Sequence, residues 1–254
     1  MFPIGDENER GHGPAYVTLA LIAINVVVFI LLQGAGSSTE GAEFTYGYSA
    51  VPLEITTGTD LTESETITVG GEQFEVPQEP GPSPIWLTLL SSMFMHGGWF
   101  HLAGNMLFLW VFGDNVEHRI GHVLFLVFYL AAGVIASFAQ ILVNPDSIIP
   151  SLGASGAVSG VLGAYIVMFP TNRVTVFLFR VLVPVPAIVA IGIWAAFQFI
   201  NGIGAFAIAE ETAGGVAYMA HIGGFVTGLA AGFLFRGIFP EPPQPRGTPA
   251  SVFR

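Results

Sequence analysis

Six mainly apolar stretches follow one another along the chain, and polar segments separate them. Most are close to the roughly 20 residues that an α-helix needs to cross the hydrocarbon layer of a membrane. Pro170 ends the fourth stretch, and Pro184 and Pro186 interrupt the fifth, because proline cannot donate a helical hydrogen bond. The pattern predicts an all-α fold, a polytopic membrane protein with a bundle of six helices. The stretches run from about 15 to 33, 99 to 116, 122 to 143, 155 to 169, within 176 to 200, and 213 to 235.

The polar parts of the chain set the expected domain organisation. Residues 1–14 form a short N-terminal segment, and residues 15–239 form the membrane domain. Residues 34–84 are a polar, acidic insertion between the first two helices of that domain. Residues 240–254 are rich in proline, so we expect a disordered tail.

The insertion contains a pattern typical of a β-hairpin. Two runs at 66–69 and 72–76 alternate polar with apolar or aromatic residues, and Gly70 and Gly71 lie between them. Two glycines between such runs favour a tight turn. A disordered acidic loop is the alternative interpretation of this segment.

Composition supports the membrane interpretation and excludes several other classes of protein. Of 254 residues, 52% are hydrophobic and 10% are charged, too many apolar side chains for a water-soluble fold to bury. The absence of cysteine excludes disulfides, thiolate catalysis and cysteine metal sites. The net charge of −11 leaves no basic surface for nucleic acid. An acid-rich chain without lysine is typical of halophiles, with compositional drift as the alternative.

The arginines predict the orientation of the helices. If six helices cross in alternation, all seven basic residues lie on one side of the membrane, and the insertion lies on the other. Positive residues favour the cytoplasmic side. We therefore expect a multi-pass protein of the cell membrane with both termini in the cytoplasm. The arginines are Arg10, Arg119, Arg173, Arg180, Arg236, Arg246 and Arg254.

Polar side chains inside membrane helices are costly and tend to be functional. Ser155 begins the fourth predicted helix, and His221 lies in the sixth. Each alone has an ordinary explanation, a helix cap or a hydrogen-bonded structural histidine. Small residues spaced by four, including Gly156 and Gly224, predict that these two helices pack closely. Ser155 and His221 are therefore a candidate pair of nucleophile and general base.

Depth in the membrane supports this pairing. The fourth helix has about 15 residues, or about 22 Å, so its start lies below the outer surface of a hydrocarbon layer about 30 Å thick. His221 lies at a similar depth in the sixth helix. His101 and Asn105 enter the second helix from the same side and share one of its faces. With the Ser155 N–H, these two donors suit an oxyanion hole, with an interhelical polar clamp as the alternative.

Three strings carry a resemblance to a known family: HGGWFHLAGN at 96–105, GASG at 153–156 and AHIGG at 220–224. In this order they resemble the signature motifs of rhomboid intramembrane proteases, over about residues 84–232. The resemblance implies that Ser155 is the nucleophile, that His221 is the base and then the acid, and that His101 and Asn105 stabilise the oxyanion. It implies that Gly153 shapes the loop entering the site. It also implies single-span membrane proteins as substrates within the lipid bilayer, and no metal or other cofactor.

One departure from the family concerns the orientation of His221. Members often carry an aromatic residue one turn after the nucleophile, where this chain has Ser159. A hydrogen bond from Ser159, or an aromatic ring from another helix, is the expected replacement. His96 is a further candidate, as a lining of the water path to the site. Without an acidic residue at this depth, a Ser-His dyad is favoured over a triad.

Other functions are less well supported. A proteolytically silent rhomboid-like protein that binds membrane clients is the main alternative, although such relatives usually lack the serine or the histidine. A small transporter would require an ionisable residue at mid-membrane, and no acidic candidate occurs there. His118 and His122 have the spacing of metal ligands but no further ligand nearby.

Overall fold

The computed structural model describes residues 2–7, 13–69, 71–178, 180–208 and 217–240, and most of them are helical. The helices are α1 Tyr16–Val27, α2 Thr39–Tyr48, α3 Pro52–Thr57, α4 Thr88–Ser91, α5 Trp99–Ile120, α6 His122–Val143, α7 Ser155–Met168, α8 Ala187–Ile208 and α9 Tyr218–Ile238. A π-helical segment, Val28–Leu32, extends α1. The strands are β1 Phe2–Asp6, β2 Glu65–Val69, β3 Glu72–Val76, β4 Arg173–Leu178 and β5 Val181–Pro186.

Helix α7 lies at the centre of the bundle, and nearly all of its side chains are buried against α5, α6 and α9. Its contact with α9 is a seam of small residues. A side chain added at Gly224 would overlap the carbonyl oxygen of Gly156, and one added at Gly228 would overlap that of Gly160. The close approach predicted from the sequence is therefore confirmed. Because backbone meets backbone here, a single methyl group is enough to force the helices apart.

Glu117 near the end of α5 supplies the N-cap that α1 lacks among its own residues. Its carboxylate accepts hydrogen bonds from the Val17 N–H at 2.8 Å, and from the Thr18 N–H and hydroxyl at 2.7 Å. These are donors that a helix start leaves unpaired, and a carboxylate there also interacts favourably with the helix dipole. Glu117 thereby fixes the start of α1 against α5.

The predicted fifth helix, within 176–200, is wrong in its first part. Helix α8 begins only at Ala187, and the residues before it form β4 and β5, which with β1 make an antiparallel sheet in the order β1-β4-β5. The β-branched residues of this segment favour strands. Pro184 and Pro186 lie in β5, an edge strand, where a missing N–H is tolerated. The fold is therefore mostly helical rather than purely so.

The sheet is attached to the helices by Asp6 of β1. Its carboxylate accepts hydrogen bonds from Asn115 Nδ2 at 2.7 Å and from the Tyr165 hydroxyl. Burial raises the pKa of Asp6 to about 7. The N-terminal strand therefore contacts the ends of α5 and α7.

The insertion between α1 and α5 is folded. The hairpin expected in it is confirmed as β2 and β3. In this hairpin Glu65 lies opposite Val76, and Val69 lies opposite Glu72. The sequence did not predict α2 and α3. Two parts of the insertion hold the loop that precedes α7. Ala50, between α2 and α3, exchanges two backbone hydrogen bonds with Ser151, and Gln78 Nε2, after β3, donates to Ile148 O at 2.7 Å. The insertion thus supports the segment that leads to Ser155.

By length and composition, two of the described helices, α6 and α9, are each able to span a membrane. The apolar helical segment Tyr16–Leu32, helix α7 and the part Ala187–Ile203 of α8 are shorter. The count of six crossings and the side on which each loop lies stay predictions. The start of the sixth predicted stretch at 213–216, the tail beyond Pro240, and Arg10, Arg246 and Arg254 lie outside the described residues.

Candidate active site

Ser155 is the first residue of α7, and the loop before it is fixed by Gly153. Gly153 has a φ of 128°, in the region that favours glycine, and its N–H donates to Ser92 O at 2.9 Å. A Cβ added at Gly153 would lie 2.8 Å from His101 Nε2 and 3.6 Å from Ser155 Oγ. His101 Nε2 and Ser155 Oγ therefore border the same small space, which any side chain at position 153 would fill.

His101 is held as a hydrogen-bond donor toward that space. The Gly97 N–H donates to His101 Nδ1 at 3.3 Å. A nitrogen that accepts a hydrogen bond carries no proton in the neutral ring, so the proton is on Nε2. Nε2 is the nitrogen that borders the space at Gly153. The arrangement places an N–H donor at the space that Ser155 Oγ also borders.

His96 supports His101 from behind. The two rings pack edge to face with their centroids 5.0 Å apart. Burial, with His101 nearby, lowers the pKa of His96 to about 3, so the His96 ring is neutral. Gln33 holds the His96 backbone on both sides, accepting from its N–H at 2.9 Å and donating to its carbonyl at 3.1 Å. His96 therefore packs against the site residues, whereas its predicted role along a water path stays a prediction.

Asn105 lies one turn after His101 on α5 and is buried, with 7% of its surface exposed. Within the described part of the chain, no group accepts a hydrogen bond from its Nδ2. Buried donors without a partner are rare, because leaving one unpaired costs about 1–3 kcal/mol. An unpaired donor on the same helix face as His101 is suited to donate a hydrogen bond to an oxygen atom of a substrate.

His221 lies on α9 and is half-buried, like Ser155. The expected hydrogen bond from Ser159 to its ring is not formed, because the Ser159 hydroxyl donates to Ser155 O at 2.6 Å. The His221 Nδ1–H instead donates to Gln198 Oε1 on α8 at 2.8 Å. The other expected replacement, an aromatic ring from another helix, is present: the ring of Trp194 lies 6.3 Å from that of His221.

The packing of α7 against α9 brings the segments carrying Ser155 and His221 together. A Cβ added at Gly156 would lie 3.8 Å from the carbonyl oxygen of Ala220, the residue before His221. In the described structure the two catalytic candidates are not hydrogen-bonded to each other. Such pairs are often longer in a free enzyme and shorten when substrate binds.

A small pocket of about 20 Å³ lies beside Ser155. Small side chains dominate its walls. A substrate side chain beside the nucleophile would have to be small to enter between them. The wall includes Gly133, Ala136, Ser137, Ala157, Ala217 and Ala220.

Comparison with known proteins identifies the family. The model of the rhomboid domain matches residues 84–238, more than half of the chain. The chain belongs to the rhomboid family. A rhomboid domain implies a membrane-embedded, polytopic helical bundle, which agrees with the mostly helical fold.

Several curated relatives of this rhomboid chain are about one-third identical to it. Rhomboid protein 1, mitochondrial, from Saccharomyces cerevisiae is 33% identical over 58% of this chain and 41% of its own length. The rhomboid protease GluP from Bacillus subtilis is 34% identical over 64% of this chain and 26% of its own length. The mouse presenilin-associated rhomboid-like protein, mitochondrial, is 33% identical over 59% of this chain and 38% of its own length. The similarity to each relative thus covers less than half of that relative.

Sequence reasoning missed two glutamines at this rhomboid site. Gln198 contacts the ring of His221, and Gln33 holds the backbone of His96. The rule that polar residues within apolar helices tend to be functional would have identified Gln198 as a candidate. No motif or spacing indicates which residues these amides contact, since both contacts join segments far apart in sequence.

Proposed function

We propose that this rhomboid is an intramembrane serine endopeptidase that cleaves single-span membrane proteins with a Ser155–His221 dyad. The observation that carries the proposal is the space beside Gly153, which Ser155 Oγ and the His101 donor nitrogen both border. The orientation of His221 on the neighbouring helix supports it. Its relative from Bacillus subtilis is named a rhomboid protease.

The chemistry would proceed in two half-reactions. Ser155 Oγ attacks the carbonyl carbon of the peptide bond, and its proton passes to His221 Nε2. The C–N bond then breaks as His221 Nε2–H gives that proton to the leaving amine. Water next attacks the acyl-enzyme, again losing a proton to His221, and the proton returns to Ser155 Oγ as the acid product leaves.

The oxyanion formed in each half-reaction would accept hydrogen bonds from the Ser155 N–H, His101 Nε2–H and Asn105 Nδ2. The tautomer of His101 and the unpaired donor of Asn105 support this role. Donors fixed in a site with little water stabilise developing charge more than donors in water do.

The proposed orientation follows from the arginine pattern: both termini in the cytoplasm of a cell membrane, six crossings, and an active site opening to the extracytoplasmic side. The acid-rich, lysine-free composition supports a halophilic source. Accessibility labelling of single cysteines introduced near Gly58 and near Ile238 tests the orientation, and labelling of both from the same side would contradict it.

Active-site labelling tests the protease function. We expect a fluorophosphonate probe to label the purified protein in detergent and Ser155→Ala to abolish the labelling. Ser159→Ala is the matched control, because it removes a serine hydroxyl one turn away; we expect it to be labelled. Absence of labelling in the wild type would contradict the protease and favour the silent client-binding alternative.

Asn105→Ala removes one oxyanion donor, so we expect turnover to fall by about 10- to 1000-fold. Measured kinetics on a single-span substrate should show the loss mainly in kcat, since the donor acts in the transition state. Asn201→Ala is the control, because within the described residues its amide bonds only to Phe197 O on α8. Equal turnover in Asn105→Ala and the wild type would exclude the oxyanion role.

A further inference from the structure

The imidazole of His221 is held by a side chain from another helix. Its Nδ1–H donates a hydrogen bond to Gln198 Oε1 at 2.8 Å. Gln198 is 8% exposed, so little solvent competes for this bond. A hydrogen bond at one ring nitrogen determines which nitrogen carries the proton and how the ring is turned.

Helix α8 presents two side chains to two side chains of α9. Trp194 and Gln198 are four residues apart and share one face of α8, as His221 and Phe225 share one face of α9. The Trp194 ring lies 6.3 Å from the His221 ring and 5.9 Å from the Phe225 ring. The aromatic contact fixes the spacing of the two helices, and the hydrogen bond one turn further along α8 fixes the imidazole.

Other neighbours of the ring do not supply this bond. The Ser159 hydroxyl gives its proton to Ser155 O. The Tyr218 ring lies edge-on at 6.5 Å and contributes packing alone. Within the described residues, Gln198 is therefore the side chain that distinguishes the two nitrogens of His221.

We propose that Gln198 is a positioning residue for the general base, an inference that rests on the protease function proposed above. With the proton on Nδ1 and donated to Gln198, the free lone pair is on Nε2, the nitrogen that must accept the Ser155 proton. Gln198 takes the place of the carboxylate that orients histidine in a Ser-His-Asp triad. It does so as a neutral amide, which is less costly than a carboxylate to place within a membrane.

A pair of substitutions separates this role from simple packing. Gln198→Met keeps the length of the side chain but removes the acceptor, whereas Gln198→Glu keeps an acceptor oxygen at the same distance. We expect Gln198→Met to lower kcat by about 10- to 100-fold, as loss of a partner that orients histidine does elsewhere, with KM unchanged. Gln198→Glu should restore most of kcat. Asn201→Leu on the same helix is the control and should match the wild type.

Nitrogen-15 NMR of histidine-labelled protein reports which ring nitrogen carries the proton, a property that a purely packing role of Gln198 would not change. The chain has six histidines, and the His221 signals are assigned by their loss in His221→Ala. We expect the Nδ1–H tautomer in the wild type and a mixture of tautomers in Gln198→Met. An Nε2–H tautomer in the wild type would overturn the proposal, even if the methionine variant does not fold.

The kinetic and spectroscopic outcomes distinguish this inference from the protease function. Unchanged kcat in Gln198→Met, or a loss that Gln198→Glu does not relieve, would overturn the role of Gln198 while the labelled enzyme remains a protease. A wild type that is not labelled by fluorophosphonate would contradict the protease function. The NMR spectrum would still report whether Gln198 holds the ring.

Discussion

Substitution of His221 by alanine is expected to lower proteolytic turnover by a factor on the order of 10⁴, because it removes the group proposed to take the Ser155 proton. Fluorophosphonate labelling should fall with it, since the serine hydroxyl is a weak nucleophile without a base. Among the described residues, the half-buried ring makes one side-chain hydrogen bond, the one to Gln198. We therefore expect the thermal unfolding midpoint in detergent to change little.

His118→Ala is the matched control for this experiment. It also removes an imidazole, and the His118 ring is hydrogen-bonded to Gly13 O at 2.8 Å. On α5 it lies 17 residues after His101, or about 25 Å along the helix, away from the proposed site. We expect its turnover to match the wild type. Comparable turnover in His221→Ala and His118→Ala would show that His221 is not the base.

The sequence was informative about the helices that carry the site because lipid imposes strong requirements on them. A helix within a membrane needs a long apolar run, so the bounds of α6 were predicted to the residue, 122–143. The close packing of α7 and α9 was also predictable. Both helices carry small residues spaced by four, and such residues let two membrane helices approach closely. The contact between α7 and α9 brings the segments that carry Ser155 and His221 together.

The same reasoning failed at β4 and β5. A short apolar run satisfies the pattern of a buried helix and of a strand equally well, and only the β-branched residues and the two prolines favoured the strand. The prolines were interpreted as interruptions of a helix. The sheet forms because β1, about 170 residues earlier in the chain, pairs with β4, a contact that no local pattern indicates.

The partners of the catalytic candidates were not predictable for a related reason. Ser159 occupies the position where family members often have an aromatic ring, so it was the natural choice for orienting His221. In the structure its hydroxyl donates a hydrogen bond within its own helix, to the carbonyl one turn earlier, as is common for serine in helices. The bond to Gln198 depends on how α8 rotates against α9, which sequence spacing does not determine.

Gly224→Ala is expected to impair stability and activity together, because the added methyl would overlap the Gly156 carbonyl oxygen. The helices must separate to admit it, at a cost of about 1–3 kcal/mol in the free energy of unfolding. Separation would also displace His221 from Ser155, and a misplacement of about 1 Å can lower turnover about 100-fold. We expect a lower unfolding midpoint in detergent and a loss of turnover of this size.

Gly237→Ala on the same helix isolates the effect of the seam. A Cβ added at Gly237 meets nothing within 4 Å in the described structure, so the same chemical change introduces no overlap there. Alanine is a better helix former than glycine by about 1 kcal/mol, which predicts an unfolding midpoint equal to or above that of the wild type. If Gly224→Ala behaved like Gly237→Ala, the contact between α7 and α9 would be looser than the structure requires, and the pairing of Ser155 with His221 would not depend on it.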